Sequence, residues 1–326
     1  MTELAQEPDS GLIYDLYTGG FKPQLIRIAL SLGVFSSLAA QPAEAATVAR
    51  LCRCNPLGLR YLLDYLTSIG LLTYQDGRYG LTTTAATFLL PTQKSYVGDL
   101  ILAFTGADMW ASLLHTLRSG ETAVLEPEKL HVQDAWLESY SAWRVTSSLE
   151  MWQAAGIRPN ANSPWPILDL ACGCAIKSLA LAQQSPMVHV TCLDTSAVLE
   201  VARDLAARMN VLGQAQFWPA DLLTANLGDA QYQVCLLGQI THYLSEAQNC
   251  TLFQRVHTAL QPGGTLLLDV PMSTQPPQEG SSFVSLFLWA SGGGAAHSFE
   301  SYQQWLKAAG FREVKLLSER WVSTIK

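Results

Sequence analysis

Apolar and polar positions alternate in two rhythms along this chain, and the rhythm changes near residue 160. In the first stretch apolar residues recur every three or four positions. Leu12, Ile13 and Leu16, then Leu25, Ile26, Ala29, Leu30 and Leu32, mark residues 11–40 as helical, with Gly33 closing the run. Ala45 to Leu51 reads as a short helix. Asn55-Pro56 is a helix start, an N-cap followed by proline at the first helical position. Leu59, Leu62, Leu63, Leu66 and Ile69 form its apolar face, and Gly70 ends it. Two short strands follow, Leu71–Tyr74 and Arg78–Thr82, about a turn at Gln75-Asp76-Gly77. Helix, helix, hairpin is a winged helix-turn-helix. Beyond it Trp110, Leu113, Leu114 and Leu117 share a helical face. A further helix is expected from Asp134 to Ala155, carrying Trp136, Tyr140, Trp143 and Met151. These aromatics serve equally as core or as the lining of a substrate cavity. The apolar run Phe283 to Trp289 has the same two readings.

From Trp165 strands and helices alternate. Strands are expected at Ile167–Leu170, Val188–Leu193, Gln216–Trp218, Tyr232–Leu237 and Thr265–Val270. Helices are expected at Ile176–Gln184, Ser196–Arg208, Ser245–Leu260 and Ser298–Ala309, with short strands at Val314–Leu317 and Trp321–Ile325. Such alternation demands a mostly parallel sheet covered by helices on both faces. The expected fold is therefore α/β and Rossmann-like, preceded by a mainly α winged-helix domain. The expected domains are 1–100 and 101–326, the latter made of a helical pocket segment at 101–160 and the sheet at 161–326.

The candidate chemistry lies at the strand ends. Ile167-Leu168-Asp169-Leu170-Ala171-Cys172-Gly173-Cys174-Ala175 runs from a buried strand through small residues into a helix. In a doubly wound sheet this is where a nucleotide-type ligand binds. A dinucleotide would need G-x-G-x-x-G, and that spacing is absent. Asp169 precedes the loop instead, and a carboxylate there repels phosphate and suits a cation. Asp194 ends the second strand and can accept from both ribose hydroxyls. Asp221 follows the third strand and can accept from an adenine amino group. A ligand with an adenosine, a positive tail and no phosphate fits this set, and S-adenosylmethionine is such a ligand.

With Leu260-Gln261-Pro262-Gly263-Gly264 before the fifth strand, the chain resembles a class I S-adenosylmethionine-dependent methyltransferase. More closely it resembles the small-molecule O-methyltransferases that carry an amino-terminal winged-helix dimerisation domain. Leu57-Gly58-Leu59-Arg60-Tyr61-Leu62-Leu63-Asp64-Tyr65-Leu66, Tyr79-Gly80-Leu81-Thr82, the Trp110 to Gly120 segment and Tyr302 through Phe311 carry that resemblance. It implies a seven-stranded sheet, a homodimer, and S-adenosylmethionine as methyl donor. It implies donor binding by Asp169, Ala171, Gly173, Asp194, Asp221, Leu222 and Gly238, with no metal. It also implies a catalytic base at His242, within Gln239-Ile240-Thr241-His242-Tyr243-Leu244. Two departures stand out. Ala171 and Ala175 occupy places where the family commonly has glycine. The acids that orient the base in plant members are replaced by Ala296 and a residue near Thr324.

Composition narrows the partners. A net charge of -7 argues against nucleic-acid and anionic-membrane partners, which reward clustered Lys and Arg. The expected helix Asn55 to Ile69 offers only Arg60 to a DNA groove, so dimerisation is the better reading of the winged helix. No apolar run reaches the ~18 residues needed to span a bilayer. Glu3, Glu7 and Asp9 are the wrong charges for a secretory leader, so the chain reads as cytoplasmic. The odd count of seven cysteines argues against a disulfide framework. Cys52/Cys54 and Cys172/Cys174 are spaced more tightly than zinc pairs usually are and read as small, buried or semi-buried thiols. The expected activity is O-methylation of a small aromatic or polyketide-like metabolite. The alternatives are C- or N-methylation, a non-methylating reaction that uses the donor only as a positive charge, and a DNA-binding regulator.

Overall fold

The computed structural model of the chain describes residues 9–121, 127–159, 162–290 and 294–326, without the side chains of 107–109 and 127–128. Glu3 and Glu7 lie outside the described residues. The chain forms two compact units, which divide at Ala111/Ser112, within a helix, and not at residue 100.

The first unit begins with α1 (Ser10–Gly19), α2 (Phe21–Ser31), α3 (Val34–Ser37), α4 (Ala45–Leu51) and α5 (Pro56–Ser68). The expected helical stretch 11–40 is thus three helices. Gly33 makes the second break, at φ 71°, a left-handed conformation that suits glycine. Asn55 caps α5 as expected, its Oδ1 accepting from the N–H groups of Leu57 and Gly58. The hairpin is β1 (Leu72–Gln75) with β2 (Arg78–Leu81). Then come α6 (Thr83–Phe88), α7 (Gly98–Thr105) and α8 (Ala107–Ser119), in which the unit boundary falls. α7 belongs with the first unit because it packs on α2, where Gln24 Nε2 donates to the Thr105 carbonyl at 3.0 Å. Leu59, Leu63 and Leu66 of α5 join Val34, Phe35 and Val48 in its core.

The second unit continues with α9 (Pro127–Ser139) and α10 (Ala142–Ala154). The single helix expected from Asp134 to Ala155 is two helices, broken at Tyr140-Ser141. The α/β part then runs β3 (Trp165–Leu170), α11 (Ile176–Ala182), β4 (Val188–Asp194), α12 (Ser196–Arg208), β5 (Ala215–Pro219) and β6 (Tyr232–Gly238). It closes with α13 (Glu246–Ala259), β7 (Leu260–Asp269), α14 (Glu279–Ala290), α15 (Phe299–Ala308), β8 (Arg312–Leu316) and β9 (Trp321–Ile325). The seven strands lie in the order β5-β4-β3-β6-β7-β9-β8. All neighbours are parallel except β9, which is antiparallel to both β7 and β8.

Period-two alternation splits the core between the sheet's two faces. Ile167, Val190, Cys192, Val234 and Leu236 pack toward α10, α11 and α12. Leu168, Leu170, Leu193, Cys235 and Leu237 pack toward α13 and α15. Both faces are covered, so these strands read as continuous apolar runs. All seven cysteines are free thiols. Among the described residues no single helix is long and apolar enough to cross a membrane. Among them, too, no group of three or more His, Cys, Asp or Glu side chains is placed to hold a metal.

Candidate functional site

Strand order reverses about β3, whose neighbours are β4 and β6. The loops after these three strands meet at their carboxyl ends, where open α/β sheets hold ligands. The loop after β3 turns sharply because Ala171, Gly173 and Ala175 all take left-handed backbone, at φ 51°, 57° and 57°. Only glycine does this without cost, so each alanine stores about 1 kcal/mol of strain. The loop is tied down by its neighbour. The Cys172 N–H donates to the Leu193 carbonyl at 3.1 Å, and the Gly173 N–H to Asp194 Oδ2 at 2.9 Å. Asp194 Oδ1 also accepts from the Thr195 N–H at 2.7 Å. Burial pushes the Asp194 carboxyl up in pKa, against those two donors. Its remaining lone pairs are free for a ligand's hydroxyls.

The loops border a cavity of about 390 Å³, within the range of small-molecule sites. Of the expected residues, Ala171, Gly173, Asp194, Gly238 and His242 line it. Ala175 does not, and it is buried, so its methyl leaves the cavity free. Asp169 lies beneath the loop at 2% exposure, its Oδ2 accepting from Ser178 Oγ at 2.5 Å. Burial pushes its pKa up to about 7, with Ser178 and Lys177 pulling it back. Asp221 and Leu222 are not brought to the cavity. Asp221 is exposed, and its Oδ1 accepts from the Leu223 and Thr224 N–H groups at 2.7 and 3.0 Å. That is a side-chain turn, the common local use of an Asp in a loop. The Leu222 carbonyl is held by Arg255 at 2.9 Å.

His242 sits in a short 3-10 turn, Thr241–Tyr243, just beyond β6. The turn is pinned on all sides. Asn249 Nδ2 donates to the Thr241 and Leu244 carbonyls at 2.9 and 3.1 Å, bracketing the histidine. The Ala295 N–H donates to the His242 carbonyl at 3.0 Å, and Thr241 Oγ1 pairs with the Tyr302 hydroxyl at 2.7 Å. The imidazole is buried, and its Nδ1 has no hydrogen-bond partner. Burial, then the nearby His297, lower its pKa to about 4, with Asp269 opposing them. The ring is therefore neutral at pH ~7 and able to accept a proton. Ala296 brings no acid to it, and Thr324 is occupied elsewhere, its Oγ1 donating to the Arg312 carbonyl at 2.7 Å.

One wall comes from the expected pocket segment, but from residues the sequence reading did not single out. His131, Asp134 and Glu138 line the cavity from one face of α9. Their spacing of three and four residues is the helical signal that could have revealed them. Burial and the neighbouring Glu138 push Asp134 up to about 6 in pKa. The aromatics singled out on this segment do other things. Trp136 and Met151 are core, while Tyr140 and Trp143 are exposed beneath Arg208 and Arg144. Opposite, α14 contributes Phe283 and Phe287, nearly parallel with centroids 6.2 Å apart. The apolar run on α14 thus lines the cavity as well as packing. A carboxylate with free lone pairs, a tight small-residue loop and a cavity of this size fit an adenosyl ligand.

Comparison with known proteins agrees with this fold. A methyltransferase domain model matches residues 167–264, and an O-methyltransferase dimerisation domain model matches residues 14–91. The 3-hydroxy-5-methyl-1-naphthoate 3-O-methyltransferase of Streptomyces sahachiroi is 26% identical, over 93% of this chain and 90% of its own length. The acetylserotonin O-methyltransferase of Mus musculus molossinus is also 26% identical, over 97% of this chain and 87% of its own. The crystal structure of human N-acetylserotonin methyltransferase with S-adenosylmethionine superposes with a TM-score of 0.69 at 19% identity, over 99% of each chain.

Proposed function

Because the chain belongs to the class I S-adenosylmethionine-dependent O-methyltransferases of small molecules, we propose that it methylates a hydroxyl of an aromatic or polyketide-like acceptor, with His242 as general base. The observation that carries this reading is the position of His242 on the wall of the same cavity as Ala171, Gly173, Asp194 and Gly238. When bound, S-adenosylmethionine supplies an electrophilic methyl on a sulfonium. The 171–173 loop and Gly238 offer it a backbone surface, and Asp194 accepts from ribose hydroxyls. Phe283 and Phe287 give a flat acceptor an apolar face to lie against. His242 takes the acceptor's hydroxyl proton at Nε2, because Nδ1 is buried away from any partner. A base of such low pKa drives proton transfer weakly, so positioning the two reactants carries more of the rate. The names of the relatives, a naphthoate and an acetylserotonin methyltransferase, support an aromatic acceptor. The dimerisation-domain match supports a homodimer.

Incubation with methyl-labelled donor and a panel of hydroxylated aromatics tests this. Label is expected on oxygen, and His242→Gln should lower kcat by about 10²-fold, the low end for general-base help. At saturating donor, the acid limb of kcat should lie toward pH 4 and not at the usual histidine value of 6.5. Label on carbon or nitrogen, or full activity in the variant, contradicts the reading.

A further inference from the structure

The methyl-transfer reading leaves a group of charges at the cavity unused. Lys177 on α11 and Arg320, in the turn before β9, both line the cavity. Lys177 Nζ lies 3.4 Å from Asp269 Oδ2, and one Arg320 guanidinium nitrogen lies 3.1 Å from Asp269 Oδ1. One carboxylate, itself 5% exposed, thus serves two cations. Glu138, Asp134 and Asp169 also act on Lys177, but none is paired with it: Glu138 holds Arg144, and Asp169 is engaged by Ser178. Arg144, also on the cavity, is matched by Glu138 at 2.8 Å. Asp269 thus gives each of the two cations one carboxylate oxygen and no more. Burial pulls the Lys177 pKa down, but Asp269, Glu138 and Asp169 more than offset it, so the lysine stays charged.

Gly238 is what admits the lysine. A Cβ at 238 would stand 3.0 Å from Lys177 Nζ and 3.6 Å from its Cε. The lysine therefore occupies the place a side chain at the end of β6 would take. A half-sequestered cation with only half a partner gains most from an anion that arrives with a ligand.

We propose that Lys177 and Arg320 form a carboxylate subsite of the cavity, opened by the glycine at 238. With Asp134, Glu138 and Asp194 on the same cavity, a monoanion suits the subsite better than a phosphate. Resting on the methyltransferase reading, the subsite has two sources of ligand open to it: the methionine carboxylate of the donor, or an acid group on an aromatic acceptor.

Calorimetry on the full chain separates them with two ligand pairs. The first is S-adenosylhomocysteine and its decarboxylated analogue. The second is a hydroxynaphthoate and the matching naphthol. Lys177→Met should weaken the carboxylate-bearing member of one pair by about tenfold or more, while its carboxylate-free partner binds as to the parent. Arg320→Gln should weaken the same member less. Discrimination in the first pair assigns the subsite to the donor, and in the second to the acceptor. The carboxylate-free ligand reports whether the variant is folded. If Lys177→Met binds nothing, Arg320→Gln, at a half-exposed position, decides by the same criterion. No discrimination in either pair overturns the proposal and leaves Lys177 a brace between α11 and β7. Failure of the parent to bind S-adenosylhomocysteine overturns the methyltransferase reading instead.

Discussion

α11 in the second unit buries six of its seven residues, whereas α1 in the first unit buries none. Yet α1 is rich in large apolar side chains. Leu12, Ile13, Tyr14, Leu16 and Tyr17 are each more than half exposed. The two units differ in polar burial as well. The second sinks Asp169, Asp269, His242 and Asn249, while the first buries Ser95 alone among its described polar side chains. The unit that holds the cavity completes its own apolar core and spends burial on polar groups that shape a site. The unit without it leaves an apolar face bare, which is what a surface that meets a partner chain looks like.

The contrast is broken most forcefully in the core. Leu168 on β3 is fully buried among Leu193, Cys235, Phe253 and Val256. Leu168→Ala should cost about 2–5 kcal/mol of stability in urea unfolding, from lost transfer energy and the cavity left behind. A cost below about 1 kcal/mol would mean that the second unit is not closed in the way described. Asn249→Ala comes next. It strips the donor from the Thr241 and Leu244 carbonyls and should cost about 1–3 kcal/mol. Asn249 touches no reactant but positions His242. Its loss should therefore lower kcat and leave the Kd for S-adenosylhomocysteine near the parent's. Unchanged kcat in a destabilised variant would reduce Asn249 to a purely structural part.

A smaller effect tests the buried carboxylate. Asp169 has its pKa raised from 3.8 to about 7 by burial. Its contribution to stability is thus fully present below the unfolded value and is lost as pH rises through about 7. The stability of the parent relative to Asp169→Asn should fall between pH ~4 and ~7 and level off above that. His242 works in the other direction. Its pKa is lowered from 6.5 to about 4, so its contribution is present above 6.5 and fades as pH falls toward 4. The His242 contribution is common to both proteins, so the difference between them isolates Asp169. A difference that does not change with pH would place the Asp169 carboxyl in a wetter setting than its 2% exposure indicates.

Much of this is legible in the sequence because strands covered on both faces leave continuous apolar runs. β3, β4, β6 and β7 stand out in that way, and Asp194 and His242, which line the cavity, are legible as candidates because they follow strands. Asp221 shows the limit of the same rule. An Asp after a strand reads alike whether it meets a ligand or caps its own turn, and here it caps. The break at Tyr140-Ser141 carries no glycine or proline to mark it. The Lys177–Asp269–Arg320 group draws on three segments far apart in the chain, and no local pattern joins them. The spacing of His131, Asp134 and Glu138 puts them on one face of α9, but it does not tell that this face meets the cavity while the 134–155 aromatics go to core and surface.

The last test has the smallest expected effect on the chain's own stability, and for that reason it is the sharpest on the contrast. Ile13 and Leu16 lie one turn apart on α1, at 66% and 69% exposure. Replacing both with lysine removes no contact from either core, so the unfolding free energy of the isolated chain should move by less than about 0.5 kcal/mol. In a homodimer the same two positions would be covered in each subunit. A stable interface needs about 800 Å² per partner, and four buried lysines would be too costly to keep there. Sedimentation should show the parent as a dimer at micromolar concentration and Ile13→Lys/Leu16→Lys as a folded monomer. A parent that sediments as a monomer, or a double variant that remains a dimer, would show that the bare face of α1 is not where the subunits meet. If instead the variant loses more than about 2 kcal/mol as a monomer, α1 is already covered within its own chain, and the contrast between the two units falls.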